Sequence, residues 1–131
     1  MTPTADDRMK FVYLLGMFYI WAHDWAHAKG YRLSLGDAFR YPKFSWEGLA
    51  PFGASVKALS YYHNTSYHCL RCAQDLNLFK QDGTLCEDIE DYRELGEHWK
   101  SLDPMCVWGG DFSAHSKSPA DADHFSICEG K

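Results

Sequence analysis

The stretch "SYHCLRCAQDLNLF", Ser66 to Phe79, holds two sets of residues that could do chemistry. Cys69 and Cys72 form a C-x-x-C pair, which suggests redox work or structural zinc. His68 and Asp75 stand seven residues apart. With a further histidine they would suggest a catalytic metal. The tail element "DADHF" supplies that histidine, His124, with Asp121 and Asp123 beside it. Two histidines and one carboxylate make a three-ligand zinc site whose fourth position stays free for water. Zinc lowers the pKa of water to about 7, and a neighbouring carboxylate can take the proton. A continuous strand would turn His68 and Asp75 to opposite faces. The metal reading therefore requires a loop or bulge between them, and Cys69 to Cys72 would lie in it.

Two other constellations compete. The C-x-x-C pair has no second pair to complete four zinc ligands, since Cys86, Cys106 and Cys128 are scattered singly. It also runs into a strand pattern, where a thioredoxin-like pair would open a helix. The bland alternative is small, buried thiols. The second competitor is "HDWAH", His23 to His27, which imitates H-E-x-x-H with aspartate in place of glutamate. Histidines four apart on a helix can face one metal. Asp24 would be the base, one methylene short, and a third ligand would have to come from elsewhere.

The elements that must position these groups are legible in outline. A helix is expected from Asp7 to Lys29, capped by Thr4 or Asp6 and stopped by Gly30, after a frayed, flexible N-terminus. Val12, Leu15, Phe18 or Tyr19, Ala22 and Ala26 would form its core stripe. Tyr31, Leu33 and Leu35 alternate as a strand closed by Gly36. Residues 42–65 read as an irregular connection with a short helix near 55–61. "AQDLNLF" is the next strand, with Asp75, Asn77 and Phe79 on one face. "KQDGT" turns back into "TLCE". "EDIEDYRELGEHWKSL" is an amphipathic helix with Ile89, Tyr92, Leu95 and Trp99 inward. "MCVWGGDF" gives a short strand and a glycine turn, and "DHFSIC" a last strand. The expected fold is α+β: a single small domain over residues 1–131, with an antiparallel sheet of short strands packed with two or three helices.

Composition narrows the function. The chain has 131 residues, a net charge of −5 and 16% aromatic residues, enough apolar material for one core without staples. No block of lysine and arginine stands out, which argues against nucleic acid. Five cysteines, an odd number, argue against a disulfide framework and for free thiols in a reducing compartment. "KFVYLLGMFYIWAHDWAHAKG" has the outline of a signal peptide, but Asp6, Asp7, His23, Asp24 and His27 break it, and an internal helix is preferred. Its apolar run is shorter than the ~20 residues of a membrane span, so no stable membrane insertion is expected. The oligomeric state is left open, with a monomer as the default.

At the metal-ligand residues the sequence resembles a family: the zinc D-alanyl-D-alanine carboxypeptidases and dipeptidases, and most closely their phage branch, the L-alanyl-D-glutamate endopeptidases of endolysins. That family carries S-x-H-x-x-G-x-A-x-D and, near its C-terminus, an acid-x-x-H element. "SYHCLRCAQD" matches at Ser66, His68, Ala73 and Asp75, with Arg71 in place of the glycine. "DYRELGEHWKSLDPMCVWGGDF" and "DADHFS" continue the pattern, and "GYRLSLGDAFRYP" resembles the segment holding a substrate-contacting arginine, here Arg40. The likeness runs from about Phe11 to Ser126.

The resemblance implies Zn2+ held by His68, Asp75 and His124. It gives Asp121, three residues before His124, the catalytic acid position, where much of the family has glutamate. Asp123 is a neighbour at the wrong offset. Arg40 would hold a substrate carboxylate or polarise the scissile carbonyl, or else form a surface salt bridge. Ser66 would hydrogen-bond near the site or shape a local turn. The implied partner is the stem peptide of bacterial peptidoglycan. D-alanyl-D-alanine cleavage and a non-catalytic peptidoglycan-binding module remain alternatives. A phage enzyme of this kind would wait in the host cytoplasm for release to the wall, or ride in the virion.

Overall fold

The computed structural model of the chain describes residues 3–36, 72–112 and 121–128. Helix α1 runs Ala5–Lys29. Thr4 caps it reciprocally: the Asp7 backbone N–H donates to Thr4 Oγ1 at 3.1 Å, and the Thr4 N–H donates to Asp7 Oδ2 at 2.8 Å. Gly30 ends it at φ 79°, the left-handed conformation that a glycine adopts without steric cost. Its inward stripe is Phe11, Leu14, Phe18, Ala22 and Ala26. Val12, expected in the core, is instead 68% exposed. The helix is apolar on opposite sides, so periodicity alone could not choose the side, and the bulky rings of Phe11 and Phe18 take the interior.

Strand β1 is Arg32–Leu35 and β2 is Ala73–Phe79. Helix α2, Ile89–Leu102, follows a cap at Asp88, and buries Tyr92, Leu95, Gly96 and Trp99. Ile89 is only partly buried at its first turn. Strand β3 is Cys106–Trp108, a single 3-10 turn spans Gly109–Asp111, and β4 is His124–Ile127. The sheet order is β1-β2-β4-β3, antiparallel throughout. The fold is thus α+β, with two α-helices among the described residues. The expected "TLCE" strand reduces to one bridge, Phe79 to Leu85, after a tight turn at Gly83.

Alternation divides the sheet into two faces. Leu76, Leu78, Phe125, Ile127 and Trp108 turn to the helices and join Phe11, Phe18 and Trp99 in one apolar cluster. Phe18 sits 5.0 Å from the Phe125 ring and 5.2 Å from the Trp99 ring. Trp99 Nε1–H donates to the carbonyls of Val107 and Ser126, both at 3.1 Å, and so ties α2 to β3 and β4. Asp75 and His124 lie on the opposite face. Cys72, Cys86, Cys106 and Cys128 are buried, and burial pushes the Cys72 thiol up to about 11. Such a thiol is protonated and unreactive at neutral pH. Cys69, the 42–65 connection and the helix near 55–61 lie outside the described residues.

Candidate metal centre

The geometry begins in the ladder. β2 and β4 pair so that Asp75 stands directly opposite His124. Directly opposed residues bring their Cβ atoms within about 5.5 Å. β2 begins at Ala73, and His68, with the loop or bulge expected between it and Asp75, lies outside the described residues.

Asp121 joins from the turn just before β4. The His124 N–H donates to the Asp121 carbonyl at 3.1 Å, and the Leu76 N–H donates to the Asp123 carbonyl at 2.8 Å. These bonds fold residues 121–123 against the middle of β2. His124 Nδ1 lies 3.7 Å from Asp75 Oδ1 and 3.9 Å from Asp121 Oδ2. One donor atom from each of Asp75, Asp121 and His124 falls within 4.8 Å of the others. Asp75 and His124 are buried, whereas the Asp121 side chain is 51% exposed. Two groups are therefore fixed by the sheet, and the third faces the opening.

The turn is clamped from behind by residues that the motif reading missed. Trp108 Nε1–H donates to the Ala122 carbonyl at 2.7 Å. Its ring lies in space that a side chain at Gly96 or Gly110 would occupy. Arg93 and Lys100 sit 5.7 and 5.8 Å from its centre. Gly109 lies under the turn itself. The Asp121 N–H donates to its carbonyl at 2.9 Å, and a Cβ on Gly109 would run into the Asp121 carbonyl oxygen and come within 2.7 Å of the His124 Cβ. Gly36 crowds the other flank, where a Cβ would stand 2.9 Å from the Asp75 Cβ. Phe112 packs 5.4 Å from the His124 ring. The only hint in the sequence was the "WGGD" run.

Electrostatically the site gathers negative charge. The Asp123 carboxyl is pushed up to about 8, first by burial, then by its hydrogen bond with Asp121 and the charge of Asp75. Asp121, Ala122 and Asp123 also line a cleft of about 260 Å3 with Asn77, Glu87 and Tyr92. A cation would relieve this crowding.

Of the sequence-predicted site residues, Asp75, Asp121 and His124 come together. His68, Arg40 and Ser66 lie outside the described residues. The "HDWAH" histidines do not join the group. His23 and His27 are exposed on α1, and His23 Nδ1 meets Asp24 Oδ1 at 3.2 Å, with both side chains 82% exposed.

No protein-family model and no curated protein sequence matches the chain. Solved structures do. A zinc-bound point mutant of VanY, a D,D-pentapeptidase from a VanB-type vancomycin resistance cassette, is similar at TM-score 0.50 and 19% identity, over 86% of this chain and 70% of that one. The L-Ala D-Glu endopeptidase ChiX of Serratia marcescens is similar at TM-score 0.49 and 15% identity, over 72% of this chain. This chain spans 65% of the ChiX chain. The resemblance read from the sequence extends to the fold. No helix among the described residues is long and apolar enough to cross a membrane.

Proposed function

We propose that this chain is a zinc-dependent peptidase that cuts the stem peptide of bacterial peptidoglycan, at the L-alanyl-D-glutamate bond. The observation that carries the reading is the convergence of Asp75, Asp121 and His124 across the β2–β4 ladder. The donor set fits zinc. Imidazole and carboxylate are its ordinary ligands, and ligands about 2.0–2.2 Å from a tetrahedral zinc stand roughly 3.4 Å apart. The 3.7 Å between His124 and Asp75 is close to that spacing. His68, placed two residues after Ser66 in the family pattern, is the third ligand in this reading. The likeness of fold to VanY supports it, and the choice of bond follows the sequence resemblance to the phage branch, carried by "DYRELGEHWKSLDPMCVWGGDF" and "DADHFS", since the metal motif itself is common to both activities.

Zinc at such a centre supplies a Lewis acid and makes water nucleophilic near neutral pH. The chain's own residues do the rest. Asp75 and His124 hold their donor atoms on a rigid ladder, so no reorganisation is needed when substrate arrives. Asp121, half exposed at the mouth, accepts the proton of the attacking water and returns it to the leaving amine. Arg40 neutralises a substrate carboxylate or the developing oxyanion.

Metal content measured beside digestion of purified peptidoglycan tests this. One zinc per chain and new L-alanyl and D-glutamyl termini by mass spectrometry are expected. His124→Ala should lose both metal and turnover. Asp121→Asn should keep the metal and lose about 10²–10⁴-fold in rate. Undiminished digestion by His124→Ala would refute the assignment. Release of D-alanine alone would move the bond to the D-alanyl-D-alanine position.

A further inference from the structure

The "HDWAH" run of α1 is a motif that the metal centre leaves unused. His23 and His27 stand four residues apart on the helix, hence about 6 Å apart along its axis and only about 40° apart around it. Both line a cleft of about 200 Å3 with Ala26, Tyr31, Arg32 and Leu33, where the chain turns at Gly30 into β1. That space holds an ion with several waters, each of which takes about 30 Å3. Trp25, on the opposite side of the helix, donates to Glu94 of α2. The histidine face is therefore not the one that packs on α2.

The pair is prepared as a chelate. His23 Nδ1 lies 3.2 Å from Asp24 Oδ1, and because a carboxylate only accepts, the imidazole donates there. In the neutral ring this holds the proton on Nδ1 and leaves the lone pair on Nε2. Metal-bound histidines are ordinarily oriented by such a carboxylate. His27 supplies the second imidazole one turn on. Cβ atoms at this spacing stand about 5–6 Å apart, a span that two rings close on one ion. The pair sits in the last two turns of α1, where the helix dipole favours a cation. Lys29, another cation of that end, is drawn to Glu94 at 3.4 Å. Arg32 across the cleft opposes a cation, but it is exposed, so salt screens it, and Asp24 offsets it. Among the described residues no third histidine, cysteine or carboxylate closes the site. Asp24, bonded to His23, orients a ligand and does not serve as the base of an H-E-x-x-H pattern.

We infer that His23 and His27 form a second metal site, an open chelate for a divalent cation such as Zn2+, Cu2+ or Ni2+, separate from Asp75, Asp121 and His124. Imidazole selects these ions over Mg2+ and Ca2+, which prefer oxygen ligands. With two protein ligands the site binds more weakly than a three-ligand centre, and water fills its remaining positions. The ion bridges one helical turn and so pins the end of α1 beside β1. The inference does not depend on the proposed activity.

Calorimetric titration of the full chain with Zn2+ tests it, carried to about 1 mM so that any site stronger than millimolar is read. A second, weaker ion per chain is expected. His23→Gln and, separately, His27→Gln should each weaken it about tenfold or more, since each removes one of two imidazoles. Asp24→Asn should weaken it about tenfold, the low end for loss of an orienting carboxylate. Arg32→Gln should bind it at least as tightly. All four positions are exposed, so unchanged circular dichroism is expected. Zinc should also slow amide hydrogen exchange in the last turn of α1, which the ion clips. His124→Ala reads the central group separately: it should remove the tighter ion and leave this one. If the central group holds no zinc, the ion lost with His23 is simply the first to bind, so the two readings fail apart. Zinc binding indifferent to both histidine substitutions, up to about 1 mM, would overturn the inference. So would inorganic phosphate bound by the parent and lost in Arg32→Gln, with no zinc in the cleft, which would give the cleft to an anion.

Discussion

Gly109→Ala tests the metal centre without touching any proposed ligand. The added Cβ would stand 2.7 Å from the His124 Cβ and 3.1 Å from the Asp121 carbonyl carbon, and would collide with that carbonyl's oxygen. Ordinary carbon contacts lie at about 3.5–4.0 Å, so the turn must withdraw by roughly 0.8–1.3 Å. Both neighbours are backbone or Cβ atoms, which cannot swing aside as a long side chain would. The turn is also held by the Asp121 N–H bond to Gly109 and by Trp108 at Ala122. Overpacking of this kind costs about 1–3 kcal/mol. A shift near 1 Å of His124 and Asp121 relative to Asp75 should also weaken zinc by about 10–100-fold, as loss of supporting contacts around a metal typically does. Competition with a chromogenic chelator measures the affinity, and urea unfolding with and without zinc measures the stability. Gly16→Ala is the control: with nothing within 4 Å of its Cβ, it should stabilise the isolated fold by up to about 1 kcal/mol and leave zinc unchanged. A Gly109→Ala protein that binds zinc as the parent does would refute the claim that the 121–124 turn sets His124 as a ligand.

Two further outcomes follow from the packing. Trp99→Ala should cost about 3–5 kcal/mol in urea unfolding, since the ring is fully buried against Phe18 and Phe125 and its N–H joins α2 to two strands. A loss under 1 kcal/mol would mean that the helices are not locked to the sheet through this residue. His98 stacks on Trp21 at 3.8 Å and 4°, and burial holds its pKa below the usual histidine value. The unfolded chain therefore binds this proton first as pH falls. Stability should be whole above about pH 6.5 and fall below it, and His98→Gln should flatten that slope. A histidine NMR titration at or above 6.5 would contradict the stacking argument.

Much of this molecule is legible in its sequence. Thr4 or Asp6 reads as the cap of α1 and Gly30 as its stop, because those signals act through backbone groups a few residues away; the structure chose Thr4 and added Asp7 as its reciprocal partner. "AQDLNLF" and "DHFSIC" read as strands from alternation alone. Asp75, His124 and Asp121 were nominated by their types and offsets within a resemblance. None of this could place Asp75 opposite His124, because β2 and β4 are about fifty residues apart and register depends on which faces the whole sheet must bury. Nor could periodicity decide which side of α1 turns inward when Val12 and Phe11 are both apolar. That choice belongs to Trp99, Phe125 and the other groups that α1 meets only in the folded state. The sequence by itself determined the chemistry available and the local elements that carry it. Tertiary structure alone decided that Gly109, Gly36 and Trp108 would press the 121–124 turn onto a strand and turn a nominated set of donors into a group within 4.8 Å. The physical reason is range: capping and alternation are settled between near neighbours, whereas a metal-sized gap is set by atoms that only packing brings together.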